Sequence, residues 1–396
     1  MNSDFSFLNK IFPNEMENEK KGLADDFSRL VKKILGKAHW NIKSIIIYGS
    51  AATGEHASIP NDIDVIVVSK IYDPLLFQRI APAINLSKFE IEVDQISLND
   101  FLLLKTRQLA DVKNSGVVIY GDKSILFGTR TDDIYYYEGI KSLFNFGVMK
   151  PLSAVSKNVL TSDKLSSERT NLILNSCVKA YEGICACLLI LRKQYKLGYG
   201  ARAHYFSETY EEEFPSLYKE IDNLGKKVEL AYDLRINKRH YYGNVIDFWF
   251  DTRRDVGTVI PFAMAEFFGR ATVSPLLSSV FLLNSLPHDF LSSLMYTVRL
   301  LSGKMKVPPP SIFSIDPVSK LYISCSCLLF SFDSKLNFKE DFMEIAEKNL
   351  RSILPLSLKS MSQIEKWEEM RKTSVSLNSI VSQWHTDKID PCLFNL

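Results

Sequence analysis

Between Ile45 and Val68 the chain reads IIIYGSAATGEHASIPNDIDVIVV, which sets a Gly-Ser turn and two carboxylates among apolar runs. Ile45 to Tyr48 has the pattern of a short buried strand, Gly49 and Ser50 make a tight turn at its end, and Ala51 to Thr53 can start a helix. Asp62 to Val68 reads as a second strand. Strand residues two apart face the same side, so Asp62 and Asp64 point one way while Ile63 and Val65 point the other. Two acids side by side repel unless a positive charge lies between them. A divalent cation carrying nucleotide phosphates meets that need. The backbone N–H groups of the Gly49 turn and the helix start beyond it suit an anionic phosphate.

A third acid is required to complete such a site. Phe89 to Ser97, FEIEVDQIS, reads as a further strand with Glu90, Glu92 and Asp94 on one face and Ile91 and Val93 on the other. Asp94, near the far end of that strand, is the choice for the third metal ligand, with Glu92 as the fallback.

Gly49-Ser50, Gly54-Glu55, Asp62-Ile63-Asp64 and the later Asp94 together resemble the signature of the DNA polymerase β-like nucleotidyltransferase superfamily. The likeness is to its compact bacterial and archaeal members and covers about residues 35 to 130. It implies that Gly49 and Ser50 hold the phosphates of an NTP and that Asp62 and Asp64 bind the metals. Asp94 is the implied third carboxylate, helping to activate the acceptor hydroxyl. The implied reaction moves a nucleoside monophosphate to that hydroxyl by metal-assisted in-line displacement, releasing pyrophosphate. Mg²⁺ suits an all-oxygen site, with Mn²⁺ as the alternative, and ATP is a candidate substrate. Some relatives carry an aromatic-then-Arg helix beside the cleft, which makes Arg253, one helical turn after Trp249, a further phosphate contact. Glu55 falls at a family position whose job is less uniform, and Asn61 stands where a Ser commonly precedes the first aspartate.

These strands need elements to hold them. Residues 16 to 36 read as a helix with Leu23, Phe27, Leu30, Val31 and Ile34 along one stripe. Residues 98 to 109 read as another, with Asn99 and Asp100 as caps. Val117 to Tyr120 is a short strand ending at Gly121-Asp122. Beyond Thr131 the periods turn helical, most clearly over Ser167 to Tyr195, then over 208 to 232, 244 to 268, 337 to 354 and 359 to 373. The expected fold is α/β (α+β), a small mixed-sheet catalytic domain over 1–130 followed by a mainly α-helical region. That region divides into 131–305, which binds acceptor and nucleotide, and a helical extension over 306–396 beginning at the run Pro308-Pro309-Pro310.

Composition bounds the rest. A chain of 396 residues with 46% hydrophobic and 24% charged residues builds well-cored domains. A net charge of +2 leans away from long nucleic acids as obligatory partners. Six cysteines without metal-ligand spacing read as packing thiols, which with the lack of a secretory pattern points to the cytoplasm. No apolar run approaches the roughly 18 residues of a membrane span. The acceptor stays open among a small molecule, a tRNA end, a protein and a second nucleotide. Two other readings compete. One is a nucleotide- or partner-binding module of the same fold without turnover. The other is an RNase, because Arg235 and His240 resemble the Arg-x4-His motif of helical HEPN domains. His56 sits near the turn as a loop histidine, and Gly198 to His204 reads as an inter-helix loop.

Overall fold

The computed structural model describes residues 17–38, 40–55, 62–73, 90–128, 130–162, 164–236, 241–285, 317–353 and 356–382. Four short strands, β1 (Ile42–Tyr48), β2 (Asp62–Ser69), β3 (Glu90–Ser97) and β4 (Val117–Gly121), form one sheet in the order β3-β2-β1-β4. β1 pairs antiparallel with β2 and with β4, whereas β2 and β3 run parallel. The sheet is therefore mixed. Its alternation places two separate cores, because successive side chains leave on opposite faces.

On one face Ile45, Ile47, Ile63, Val65, Val67, Ile91 and Val93 pack with Phe27, Leu30, Ile34 and Leu35 of α1 (Glu17–Ala38). On the other, Ile46, Tyr48, Ile66 and Val68 pack with Phe101 of α3 (Leu98–Leu103) and with Leu109 and Val112 of α4 (Arg107–Ser115). The intervening α2 (Gly49–Thr53) is the single turn after β1. Each large apolar side chain so buried contributes about 1.5–3 kcal/mol. Asp64, Glu92 and Asp94 belong to this second face, where Gln108 of α4 also reaches Tyr48 and Asp94.

The expected helix over 98–109 is two helices. Ser97 caps the first by accepting from Asp100 N–H at 3.1 Å, and Thr106 caps the second by accepting from Leu109 N–H at 3.2 Å. The caps are thus Ser97 and Thr106, while Asp100 accepts the Ser97 hydroxyl at 2.6 Å.

The described residues of Met1–Tyr135, Lys196–Ala201 and Ser382–Leu396 form one compact unit, and those of Tyr136–Tyr195 and Arg202–Val381 form a second. The second unit is helical. It includes α5 (Tyr136–Ser142), continued by a π-helical stretch over Leu143–Met149, and then α6 (Ser167–Leu191). The chain goes on through α7 (Tyr199–Glu213), α8 (Leu224–Ile236), α9 (Val245–Phe267), α10 (Pro317–Phe330), α11 (Glu340–Arg351) and α12 (Gln363–Ser382). Gly198 to His204 is mostly not a loop, since the helix starts at Tyr199, and the expected helix over 208–232 breaks before Pro215.

By length and composition α6 could cross a membrane, contrary to the reading of apolar runs. However, 78% of its most apolar window is buried inside the protein, as in a core helix. Cys177, Cys185, Cys187, Cys325 and Cys327 are free and buried. Burial pushes the thiols of Cys177, Cys185 and Cys327 up to about 12, so they serve as apolar packing. Cys392 lies outside the described residues.

One polar knot fastens the helical core. Asp255 on α9 is buried and accepts from Lys227 Nζ of α8 at 2.6 Å and from Tyr181 Oη of α6 at 2.8 Å. Removing one partner of a buried pair strands the other charge and costs about 3–5 kcal/mol. Lys227→Met is therefore expected to lower the unfolding free energy of the second unit by that order in urea titrations. Lys227→Met combined with Asp255→Leu should recover most of the loss.

Candidate active site

The turn after β1 is shaped by Gly49, whose φ of +71° lies in the left-handed region. A Cβ there would meet Asp64 Oδ2 at 2.5 Å, so the backbone lies directly against that carboxylate. Ser50 follows with its side chain half-buried, and Gly54 N–H closes the helical turn on Ser50 C=O at 3.0 Å.

Register decides which acids stand together. Tyr48 of β1 pairs with Asp64 of β2, and Asp64 pairs with Glu92 of β3. These three residues form one row across the sheet, on one face. Asp62 and Glu90 form the next row toward the open end, and Ile66 and Asp94 the row toward α3 and α4. The side chains of Asp62 and Glu90, and all of His56 and Asn61, lie outside the described residues.

Asp94, the expected third ligand, is buried and hydrogen-bonded. It is 6% exposed, and its Oδ2 accepts from Tyr48 Oη at 2.6 Å and from Gln108 Nε2 at 2.9 Å. Gln108 Nε2 also donates to Tyr48 Oη at 2.7 Å, closing a triangle between β1, β3 and α4. Burial first, then the charges of Asp94 and Asp64, raise the Tyr48 phenol well above its ordinary range, so it stays a hydrogen-bond donor. As the acid abreast of Asp64, the structure has Glu92, not Asp94. The β2–β3 pairing fixes this, and no local pattern could set it.

Tyr48 and Gln108 were not singled out in the sequence. Tyr48 was findable, since it ends the strand two residues beyond Ile46 on the face that carries the acids. Gln108 offered no signal.

Three cations of the second unit have partners of their own. Arg253 lies in the second unit with its guanidinium 5.4 Å from the Trp249 ring centroid and 4.9 Å from those of Phe250 and Phe332. It donates to Leu329 C=O at 3.3 Å, and burial lowers its pKa to about 10. Its guanidinium is thus held among three aromatic rings and a backbone carbonyl. Arg235 donates to Glu182, and His240 lies outside the described residues. Arg202 is buried and donates to Tyr195 Oη at 2.6 Å.

Among the described residues no three His, Cys, Asp or Glu side chains are gathered as a metal cluster. The donor chemistry nevertheless fits a hard cation. Asp64 and Glu92 stand side by side with oxygen donors only, and Asp62 lies two residues before Asp64 in β2. A cation between them relieves the repulsion of adjacent carboxylates.

Residues 28–118 match the family model described as nucleotidyltransferase domain. That match falls on the segment holding the Gly-Ser turn and the Asp-x-Asp strand and agrees with the nucleotidyltransferase likeness they imply. Among solved structures, a spectinomycin adenyltransferase from Enterococcus faecialis, crystallised with ATP and spectinomycin, is similar at 14% identity and a TM-score of 0.37. The match covers 60% of this chain and 98% of that one, and a likeness so distant carries no argument about substrate. No curated protein matches the chain.

The contact between Gly49 and Asp64 can be isolated with a neighbouring glycine. Gly54 also has positive φ, at +73°, but a Cβ there meets nothing within 4 Å. Gly49→Ala and Gly54→Ala should each lose about 1–2 kcal/mol of stability to the left-handed backbone. Only Gly49→Ala should also displace the Asp64 carboxylate and lower nucleotidyl transfer by at least about tenfold. Denaturation and pyrophosphate release on the same preparations separate the two effects.

Proposed function

We propose, from the premise that residues 28–118 are a nucleotidyltransferase domain, that the chain transfers a nucleoside monophosphate from an NTP to a hydroxyl-bearing acceptor and releases pyrophosphate. The observation that carries the residue roles is the row in which Asp64 and Glu92 stand abreast, beside the turn of Gly49.

Gly49 and Ser50 hold the triphosphate through backbone N–H groups and the Ser50 hydroxyl. Asp62 and Asp64 hold the divalent cation, with Glu92 within the same acidic row. When bound, the cation neutralises phosphate charge and aligns the attacking and leaving oxygens. Glu92 accepts the proton of the acceptor hydroxyl. The acceptor oxygen then bonds to the α-phosphorus as the bond from that phosphorus to the bridging oxygen of the β-phosphate breaks. Most of the barrier reduction comes from position and charge neutralisation rather than from covalent chemistry on the protein.

Asp94 takes a supporting role in this scheme. Its carboxylate holds Tyr48 Oη and Gln108 Nε2 beneath the row, which fixes the end of β1 from which the phosphate turn departs. Arg253 has no part in the chemistry.

The test is pyrophosphate release from each of the four NTPs with Mg²⁺, alone and with small-molecule, RNA and protein fractions. Glu92→Gln is expected to lower release about 10²–10⁴-fold, the range for loss of a general base, while NTP binding persists. Asp64→Asn should abolish release, and Asp94→Asn should lower it by about tenfold, the scale of one lost charge-assisted hydrogen bond. Full release by Glu92→Gln with none by Asp94→Asn would return the third-carboxylate role to Asp94. Binding without release in every fraction would make the chain a nucleotide-binding module.

A further inference from the structure

Glu55 stands just past the phosphate turn, and the chemistry proposed above does not use it. Both of its carboxylate oxygens are nonetheless committed. Tyr199 N–H donates to Oε2 at 2.7 Å and Gly200 N–H donates to Oε1 at 2.9 Å. These amides open α7 and have no partner within their own helix. A carboxylate placed there gains from the helix dipole as well.

The approach is built in from the other side too. Gly198 has φ +79°, and a Cβ on it would come within 3.0 Å of Glu55 Oε1. Only glycine lets the chain turn so close to the carboxylate without strain. All of these atoms belong to the first unit, which includes Lys196–Ala201.

The contact runs back to the turn itself. Thr53 Oγ1 lies 3.3 Å from Glu55 Oε2, 3.3 Å from Gly49 C=O and 3.4 Å from Ser50 C=O. α2 is one turn long, too short to hold its own geometry. β1 fixes where it begins. Glu55 and Thr53 fix where it ends, against a segment 144 residues later in the chain.

We propose that Glu55 is a positioning residue for NTP binding: its carboxylate latches the opening of α7 to the end of the phosphate turn and so sets the orientation of Gly49 and Ser50. The inference rests on the nucleotidyltransferase reading and adds to it a residue that touches neither phosphate nor metal.

The experiment measures ATP, GTP, CTP and UTP binding with Mg²⁺ by calorimetry, thermal unfolding, and hydrogen exchange of the 196–203 peptide. It uses the full chain and its Glu55→Gln, Glu55→Ala and Gly198→Ala variants. Glu55→Gln keeps the shape and one acceptor oxygen, and should weaken binding of the preferred NTP about tenfold, the scale of one charge-assisted hydrogen bond. Glu55→Ala should weaken it further, and Gly198→Ala should match Glu55→Gln from the opposite side of the latch. NTP should slow exchange at 196–203 in the wild type and not in Glu55→Ala. Wild-type binding with unchanged affinity in Glu55→Gln and Gly198→Ala overturns the inference alone. An affinity loss that only follows a fall in unfolding temperature overturns it as well and leaves Glu55 a helix cap. Failure of the wild type to bind any of the four NTPs overturns both this inference and the nucleotidyltransferase reading.

Discussion

The parallel pairing of β2 with β3 is the constraint on which the site depends. It aligns Asp64 with Glu92 residue for residue, and the antiparallel pairing of β1 with β2 adds Tyr48 to the same row. A slip of one residue in β3 would turn its acids to the other face and bury them among Ile63, Val65 and the α1 side chains. The apolar residues Ile91 and Val93 oppose that slip, because they belong to the core on the α1 side. Hydrophobic burial thus sets the address of the carboxylates. Packing on one face fixes charge on the other.

Two carboxylates of the catalytic half, Asp94 and Glu55, have definite partners. Asp94, one row toward α3 and α4, is hydrogen-bonded by two neutral donors, Tyr48 and Gln108. Glu55 is occupied by two backbone amides at the start of α7. Buried or half-buried carboxylates without such donors would be costly. Glu92 and Asp64 stand abreast of each other, and a cation between them would relieve their mutual repulsion.

Much of the catalytic half was legible because its signals are local. The alternation in Asp62–Val68 and in Glu90–Ser97 gives both the strands and their faces, and Ile63, Val65, Ile91 and Val93 are buried as that alternation requires. The Gly-Ser turn was legible because few residues besides Gly suit the left-handed backbone at position 49. What local pattern does not hold is long-range. Choosing between Glu92 and Asp94 requires the β2–β3 register, which no periodicity within β3 contains. Arg253 is legible only as a cation one turn after Trp249 on its own helix, whereas Phe332, which lies against its guanidinium, comes from a distant part of the chain. The break near Leu104 depends on Thr106 acting as a second cap, a short-range signal hidden inside a continuous helical pattern.

The central claim is that the row of Asp64 and Glu92 is where metal and triphosphate meet. The most direct measurement is a crystal structure of the chain with Mn²⁺ and a non-hydrolysable NTP, with the metal located by its anomalous scattering. The account predicts Mn²⁺ held by Asp62 and Asp64 on the face of Glu92, with the phosphates against Gly49 and Ser50 and with Asp94 still bonded to Tyr48. Metal bound at Asp94 with the Tyr48 bond broken, or a nucleotide seated away from Gly49, would contradict it.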